Sequence, residues 1–173
     1  MKAIIYKPFS FEKQTFQCVS YSESEFIMYW TMEPKGRVDP HIHKHSHEHF
    51  KITKGVAQFI VNGEKIIKKE GEELLVKKGI IHSIQNNSKE QIEVIVTYTP
   101  CADIHRMFII MATLEQSNPG SSVNIAKYVY LVPRLGLKEF STPQPEFVYK
   151  SLSVLVAIAG FFFGWKNLTE KFI

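Results

Sequence analysis

The chain has 173 residues, of which 45% are hydrophobic and 22% charged, and this suits one domain with a buried core. The net charge of +4 comes from lysines scattered over predicted strands and turns, a distribution that argues against nucleic-acid binding. Two cysteines, Cys18 and Cys101, are too few and too far apart for a disulfide framework or a zinc ribbon. We therefore expect free, buried thiols and a cytoplasmic protein. Residues 1–16 lack the apolar core of a signal peptide.

Between residues 16 and 98 the pattern is that of an all-β barrel or sandwich, with short apolar runs separated by glycine-containing turns. Asn62-Gly63 lies between two alternating runs and is the strongest hairpin signal in the chain. No long helical pattern separates the runs, which excludes a parallel α/β sheet. We predict strands at residues 16–21, 25–32, 50–53, 57–61, 64–68, 73–76, 80–85 and 92–99.

The character of the chain changes after Pro100. Apolar residues recur at helical spacing between Ile104 and Leu114, with Asp103 as a candidate cap, and a second helix is predicted from residue 123 to residue 132. Residues 117–122 and 141–145 are rich in helix-breaking residues. We therefore divide the chain into a β-barrel domain, residues 1–100, and a helical C-terminal extension, residues 101–173.

Residues 147–165 are apolar on nearly every side. Only 15 residues separate Lys150 from Lys166, fewer than the roughly 20 that a spanning helix needs. A helix of this kind must still be buried somewhere. We expect it to pack on the barrel or across a dimer interface, with contact at a membrane surface as the first alternative and a membrane span as the second.

The densest chemistry lies in residues 41–49, where five of the seven histidines alternate with other residues. Neutral imidazole is the commonest nitrogen ligand of transition metals in proteins, so the cluster predicts a metal site. The residues concerned are His41, His43, His45, His47 and His49, with Glu48 among them and His82 further along the chain.

The spacing of these residues is more specific than their number. His41-x-His43 is followed by four residues and Glu48, and then by six residues and Gly55. Downstream, Gly71, Lys77, Gly79, His82 and Asn86 follow at gaps of five, one, two and three residues. This resembles the two signature motifs of the cupin superfamily, G-x5-H-x-H-x3,4-E-x6-G and G-x5-P-x-G-x2-H-x3-N. The sequence departs from them at Gly36, which has four rather than five residues before His41, and at Lys77, which replaces a proline.

The resemblance implies an all-β cupin fold, a double-stranded β-helix or jelly-roll barrel, here with a C-terminal α-helical extension. It also implies that His41, His43, Glu48 and His82 bind a divalent transition metal, namely Fe, Mn, Ni, Zn or Cu. Residues two apart in a strand share a face, so His41 and His43 can converge, whereas Glu48 has the opposite parity. A turn or bulge within residues 44–47 must therefore reverse the phase.

Two other interpretations of the cluster remain open. In a straight strand His45, His47 and His49 would extend the face of His41 and His43, forming a stripe of imidazoles without Glu48. Alternatively, the barrel carries the four positions but holds no metal in the cell. With Glu48 as a ligand, His45, His47 and His49 would be exposed or would support the ligands from outside.

Cupins include oxygenases, isomerases, decarboxylases, storage proteins and ligand sensors, so the fold does not fix the function. We expect a metal-dependent enzyme acting on a small molecule, with an oxygenase such as a dioxygenase favoured over an isomerase. A non-catalytic metal-binding or small-molecule-sensing module is the alternative, and a barrel held at a membrane surface by residues 147–165 is the third. An exposed sheet edge favours a homodimer.

A few further residues carry weaker expectations. Interior positions that could form the wall of a pocket are Phe50, Ile52, Phe59 and Tyr98. Tyr98 or one of the spare histidines is a candidate proton donor or acceptor, although the sequence does not select among them. Asn86 is expected to bond backbone groups at a turn, and His105 to be an ordinary packing or surface residue.

Overall fold

A computed structural model describes residues 7–141 and 146–172. Its strands are β1 (Phe9–Phe11), β2 (Gln14–Tyr21), β3 (Phe26–Met32), β4 (Arg37–His43), β5 (His47–Lys54), β6 (Val56–Val61), β7 (Glu64–Lys69), β8 (Glu73–Val76), β9 (His82–Gln85), β10 (Ile92–Thr99) and β11 (Phe140–Ser141). One sheet has the order β1-β2-β3-β10-β5-β8 and the other has the order β11-β4-β9-β6-β7. The consecutive strands β4 and β5 therefore belong to different sheets, a crossing that places the histidine cluster at a corner between the sheets.

Alternating burial along the strands explains why the two sheets pack face to face. In β3 and β10 every second side chain is buried and the side chains between them are partly exposed. Period-two burial is what a sheet with one face on a hydrophobic core requires. Paired residues on neighbouring strands point to the same face of the sheet, so the inward apolar side chains form one core. Its largest fully buried members from the strands are Phe26, Met28, Met32, Phe50, Ile52, Phe59, Ile84 and Ile92.

Two turns show how the sequence sets the strand geometry. Asn62 and Gly63 have φ angles of 50° and 84° and join β6 to β7, which confirms the predicted hairpin. Gly36 precedes β4, and a side chain there would overlap Met32 and the backbone carbonyl of Glu33. The first glycine of the motif is therefore needed for the close approach of the chain to β3.

All eight predicted strands are present, with shifts of a few residues at their ends. Strands β1, β4 and β11 were not predicted from the sequence. Strand β4 was missed because Pro40 and several polar residues interrupt it, and its inward positions near the end hold histidines rather than aliphatic side chains. The apolar alternation that identifies other strands is therefore missing from the strand that carries both His41 and His43.

The first two helices, α1 (Ile104–Ser117) and α2 (Ser122–Arg134), agree with the predicted helical segments. Asp103 stands at the start of α1, but its side chain makes no capping hydrogen bond; instead its carboxylate accepts the backbone N–H of Lys138 at 3.2 Å. Helix α1 packs Phe108 onto the barrel core and turns Met107 toward a second apolar cluster that includes α2. The all-β description thus applies to the barrel and not to the extension.

Helix α3 (Glu146–Phe162) is followed by a 3-10 helix (Trp165–Lys171). Of the predicted linker at residues 141–145, residues 142–145 lie outside the described part of the chain. Helix α3 contacts α2 closely, since a side chain at Gly160 would overlap the ring of Tyr130. The opposite side of α3 is exposed and apolar: its exposed large side chains are Val148, Leu152, Val154, Leu155, Ile158, Phe161 and Phe162, with Phe163 just beyond.

Within the described residues, no single helix is long and apolar enough to span a membrane. One pair of segments, 151–162 with Trp165–Lys171, would suffice by length and composition, but the two are bent by 99°.

Candidate metal centre

His41 and His43 lie at the end of β4 and point to the same side, as residues two apart in a strand must. Their Nε2 atoms are 3.2 Å apart and their rings stand nearly perpendicular, at 86°. His43 is buried, with 2% of its surface exposed, and His41 is partly buried. The strand therefore delivers two imidazole nitrogens to one point in the interior.

Glu48 reaches the same point because the chain turns before it. Residues 44–46 form a bend between β4 and β5, and β5 begins at His47. In β5 Glu48 points inward with Phe50, whereas His47 and His49 belong to the opposite face. The reversal of phase predicted for residues 44–47 is confirmed. One carboxylate oxygen of Glu48, Oε2, lies 2.9 Å from His43 Nε2.

His82 comes from a third strand, β9, which pairs with β4 so that His82 lies opposite His41. The two rings are 4.3 Å apart between centroids. His82 Nε2 donates a hydrogen bond to Glu48 Oε2 at 2.7 Å. Three separate strands thus contribute to one cluster.

The four side chains have the donor atoms and orientation of a metal site. One ligand atom from each of His41, His43, Glu48 and His82 lies within 4.8 Å of the others. The Nδ1 atoms of His41 and His82 donate to the backbone carbonyls of Asp39 and Ile80, each at 2.9 Å. Such a bond keeps a proton on Nδ1 and directs Nε2 toward the cluster, so Nε2 is the atom that would coordinate a metal, in His82 after loss of the proton it donates to Glu48. The donor set, three imidazoles and one carboxylate, fits a divalent transition metal.

Burial and mutual interaction shift the pKa values in this cluster. Burial lowers the pKa of His41 to about 4, although the charge of Glu48 acts in the opposite direction. For Glu48, burial raises the pKa, but the charges and hydrogen bonds of His43 and His82 outweigh it and hold the pKa well below its usual range. Burial lowers the pKa of His82, but its hydrogen bond to Glu48 raises the pKa by more, so the net shift is upward. The carboxylate is thus kept ionised, as metal binding requires.

Glu139 supports the bend and was not predicted from the sequence. It is fully buried, and its carboxylate accepts the backbone N–H groups of His45 and Ser46 at 3.2 and 2.8 Å. The same carboxylate accepts a hydrogen bond from the Nδ1 of His45 at 2.9 Å. Its Oε1 is 3.9 Å from Nδ1 of His43, the ring atom remote from the cluster. Only the burial of a charge after α2 could have signalled this role, and burial is not visible in the sequence.

The three remaining histidines of residues 41–49 lie away from the four clustered side chains. His45 bonds Glu139, and the Nδ1 of His47 accepts the backbone N–H of Lys78 at 3.2 Å. His49 pairs with Glu73 at 3.0 Å on the outer face of β5. In this structure β5 does not continue the face of β4, so the five imidazoles do not form the stripe that a straight strand would give.

A cavity of about 160 Å³ inside the barrel adjoins the cluster, and His41 and Glu48 form part of its wall. Of the four predicted wall residues, Phe50 and Tyr98 line it, whereas Ile52 and Phe59 are buried elsewhere in the core. Helix α1 contributes Phe108 and Met111, so the extension closes part of the barrel. The other described residues in the wall are Phe11, Gln14, Phe16, Met28, Trp30, Val38 and Ile84.

Asn86 and His105 have the structural roles expected of them. The amide of Asn86 donates to the backbone carbonyls of Met32 and Glu90 at 2.9 and 2.7 Å, which ties the turn after β9 to β3. His105 is buried in α1, and its ring stacks on Tyr21 with a centroid distance of 3.8 Å. Cys18 and Cys101 are both buried and free, as predicted.

The fold is a small β-barrel in which two antiparallel sheets close around a cavity. Part of the His-His-Glu-His cluster lies in the wall of that cavity. Residues 28–98 match the family model described as the cupin domain. The chain therefore contains a cupin domain, and the metal-ligand positions of the resemblance fall within it. No curated protein matches the sequence.

Solved structures with the same fold are similar to about half of the chain. KdgF from Halomonas sp. has a TM-score of 0.52 and 14% identity, over 55% of this chain and 86% of that one. A predicted oxalate decarboxylase from Thermotoga maritima has a TM-score of 0.52 and 17% identity, over 57% of this chain and 96% of that one. The cupin domain of Cnp3 from Schizosaccharomyces pombe has a TM-score of 0.50 and 22% identity, over 52% of this chain and 66% of that one. At these identities the likeness establishes the jelly-roll fold alone.

Proposed function

We propose that this protein is a metal-dependent enzyme that acts on a small molecule held in the barrel cavity, and that it is an oxygenase rather than an isomerase. The observation that carries the proposal is that His41 and Glu48 belong both to the His-His-Glu-His cluster and to the wall of the cavity. A molecule in the cavity would therefore contact the metal centre directly. Barrels of this size hold one small ligand in such a position.

The metal ligands in this proposal are His41, His43, Glu48 and His82. A bound Fe, Mn, Ni, Zn or Cu ion would supply Lewis-acid or redox chemistry at the wall of the cavity. The protein's contribution is to fix the nitrogen and oxygen donors: backbone carbonyls orient His41 and His82, and Glu139 holds the bend between His43 and Glu48.

The wall of the cavity favours an oxygenase over an isomerase. An isomerase that shifts protons needs an acid or base that is not itself a metal ligand. Among the described residues of the wall, Tyr98 is the one ionisable side chain besides His41 and Glu48. Its ring lies 5.3 Å from that of His43 between centroids. Tyr98 is thus the single candidate for holding a proton near the reacting molecule, which is sparse for an isomerase, whereas an oxygenase would depend mainly on the metal, dioxygen and the apolar side chains that exclude water.

The test is dioxygen uptake by protein loaded anaerobically with Fe(II), measured with an oxygen electrode over a panel of small molecules. We expect at least one compound to stimulate uptake in the wild type and in His49→Ala, but not in Glu48→Ala. His49 is the matched control because it stands next to Glu48 on the outer face of the same strand. Stabilisation by compounds without turnover, with any of the five metals, would contradict the enzyme proposal and favour a non-catalytic binding or sensing module.

A specific observation favours a second role, contact with a membrane surface on the cytoplasmic side. Phe161, Phe162 and Phe163 are 80%, 79% and 72% exposed at the end of an apolar helix. Burying such side chains in lipid contributes about 1.5–3 kcal/mol each. Lys166 and Lys171 follow in the 3-10 helix, and no acidic residue lies between Glu146 and Glu170. This charge suits an anionic lipid surface.

Flotation with vesicles of phosphatidylcholine and phosphatidylglycerol tests this role. We expect the wild-type protein to float and a variant with Phe161, Phe162 and Phe163 replaced by serine to remain in the dense fraction. The control replaces three exposed apolar residues of the barrel, Val19, Ile67 and Leu75, by serine and should still float. If instead the wild type fails to float, and light scattering shows a dimeric wild type but a monomeric phenylalanine variant, the exposed face is a dimer interface.

A further inference from the structure

Two polar atoms of residues that line the cavity have no hydrogen-bond partner within the described part of the chain. They are Oε1 of Gln14 and Nε1 of Trp30. Both residues are deeply buried, with 6% and 3% of their surfaces exposed. Leaving a buried donor or acceptor unsatisfied costs about 1–3 kcal/mol for each group, so native proteins rarely do so without a reason. In a binding cavity, the usual reason is that a ligand supplies the missing partner.

The strand register brings these two groups together. Strands β2 and β3 pair with Gln14 opposite Met32 and Phe16 opposite Trp30, so Gln14 and Trp30 are diagonal neighbours on the inner face. The Nε2 of Gln14 donates to the backbone carbonyl of Arg37 at 3.1 Å, and this bond leaves Oε1 as the unused end of the amide. Trp30 is held by stacking on Phe16, with a centroid distance of 5.8 Å. One unused acceptor and one unused donor therefore belong to neighbouring residues of the same wall.

We propose that the molecule bound in the barrel is uncharged and mainly apolar, and that it carries a hydroxyl group which accepts the Trp30 N–H and donates to Gln14 Oε1. A hydroxyl can donate and accept at once, whereas an ionised carboxylate or phosphate only accepts and would face Gln14 Oε1 without a proton to give. No described residue of the wall is a lysine or an arginine that could pair with an anion. The remaining wall is apolar apart from the metal ligands and Tyr98.

A hydroxyl-bearing apolar molecule would be the substrate class of the proposed enzyme. The inference rests on the proposed function only because it takes this cavity as the substrate site. His41 and Glu48 line the same cavity as Gln14 and Trp30. A molecule whose hydroxyl is held by Gln14 and Trp30 would have its apolar body against Phe16 and Phe50, within reach of the metal centre. The hydroxyl would then set the orientation in which the rest of the molecule meets the metal.

Phenol and toluene are suitable probes because they differ by a hydroxyl in place of a methyl group. The chain has two tryptophans, Trp30 and Trp165, so its NMR spectrum should contain two indole N–H signals. We expect phenol to shift the Trp30 signal saturably and to leave the Trp165 signal in place. Toluene should bind at least about tenfold more weakly, since it can make neither of the two hydrogen bonds that the hydroxyl makes. An equal response to both probes, or none at Trp30, would overturn the proposal.

Two variants identify the groups. Gln14→Leu should reduce the preference for phenol over toluene to less than about threefold, and Trp30→Phe, which removes the indole, assigns the Trp30 signal. The wild-type titration decides the question even if a core variant fails to fold. The two readouts separate this proposal from the proposed enzyme: a preference for phenol in wild-type protein without dioxygen uptake would leave the binding site standing and reject the catalytic role. If wild-type protein shows no preference for phenol over toluene, the binding site is rejected, whether or not the protein takes up dioxygen.

Discussion

Glu139 accepts the backbone N–H of Ser46 at 2.8 Å, although the two residues are 93 positions apart in the chain. Ser46 lies in the bend that turns the chain between His43 and Glu48, and Glu139 follows α2 in the helical extension. The extension is therefore joined to the candidate metal centre through the backbone of one short bend. This contact gives the extension a structural role in the site, separate from any role at a membrane.

Replacing Glu139 by alanine should weaken both the fold and the metal centre. The change leaves the N–H groups of His45 and Ser46 without their acceptor, and we expect a loss of about 2 kcal/mol in the free energy of unfolding. Because the bend positions two ligands, metal affinity should fall by about 10- to 100-fold. His45→Ala is the control, since it removes one exposed partner of the same carboxylate and should cost less than about 0.5 kcal/mol. Denaturant melts and metal titration would test this, and equal effects of the two variants would contradict it.

Metal binding should stabilise the folded protein measurably. A metal at a free concentration 100 times its dissociation constant adds about 2.7 kcal/mol to the free energy of unfolding, provided that it binds only the folded state. Chelator-treated protein should therefore melt at a lower temperature than protein given Mn, Fe, Ni, Zn or Cu. Differential scanning calorimetry of both samples checks this. A melting temperature unaffected by each of the five metals would speak against the site.

The pair Tyr29 and Glu93 should make stability depend on pH at the alkaline end. The hydroxyl of Tyr29 donates to Glu93 Oε2 at 2.5 Å, and this bond raises the pKa of Tyr29 to about 12. A raised pKa in the folded state stabilises below the unfolded pKa, near 10, and the contribution is lost as the pH rises toward 12. Denaturant melts between pH 9 and about 12 should therefore show a steeper loss in the wild type than in Tyr29→Phe. Parallel curves for the two proteins would contradict the assignment.

The same pair has an acid counterpart. The hydrogen bond from Tyr29, assisted by Lys54, lowers the pKa of Glu93. A lowered pKa stabilises the protein above the unfolded value, near 4.3, and the contribution is lost as the pH falls through the folded value. Tyr29→Phe should therefore flatten part of the stability decline on the acid side as well.

The sequence was most informative where local geometry constrains the answer. Glu48 has the wrong parity to share a face with His41 and His43 in one strand, so the assignment of all three as ligands required the bend that the structure has at residues 44–46. The Asn62-Gly63 turn was predictable because it too depends on local geometry, since few residues tolerate positive φ.

Other parts of the site depend on long-range packing and could not be predicted. Strand β4 has ligands instead of aliphatic residues at the inward positions near its end, so its pattern did not resemble a strand. Glu139 acts on backbone groups, which leave no pattern of side chains to recognise. The diagonal placement of Gln14 and Trp30 depends on the register between β2 and β3, which binary patterning does not determine to one residue.

The central claim is that His41, His43, Glu48 and His82 bind one divalent transition metal, and metal content per chain tests it most directly. Untagged wild-type protein and single alanine variants at these four positions and at His45, His47 and His49 would be purified identically and measured by mass spectrometry of the elements. We expect close to one metal per chain in the wild type and in the variants at His45, His47 and His49. The variants at the four ligand positions should contain at least about tenfold less. Unchanged metal in Glu48→Ala or His82→Ala, together with its loss in His45→Ala or His47→Ala, would contradict the account.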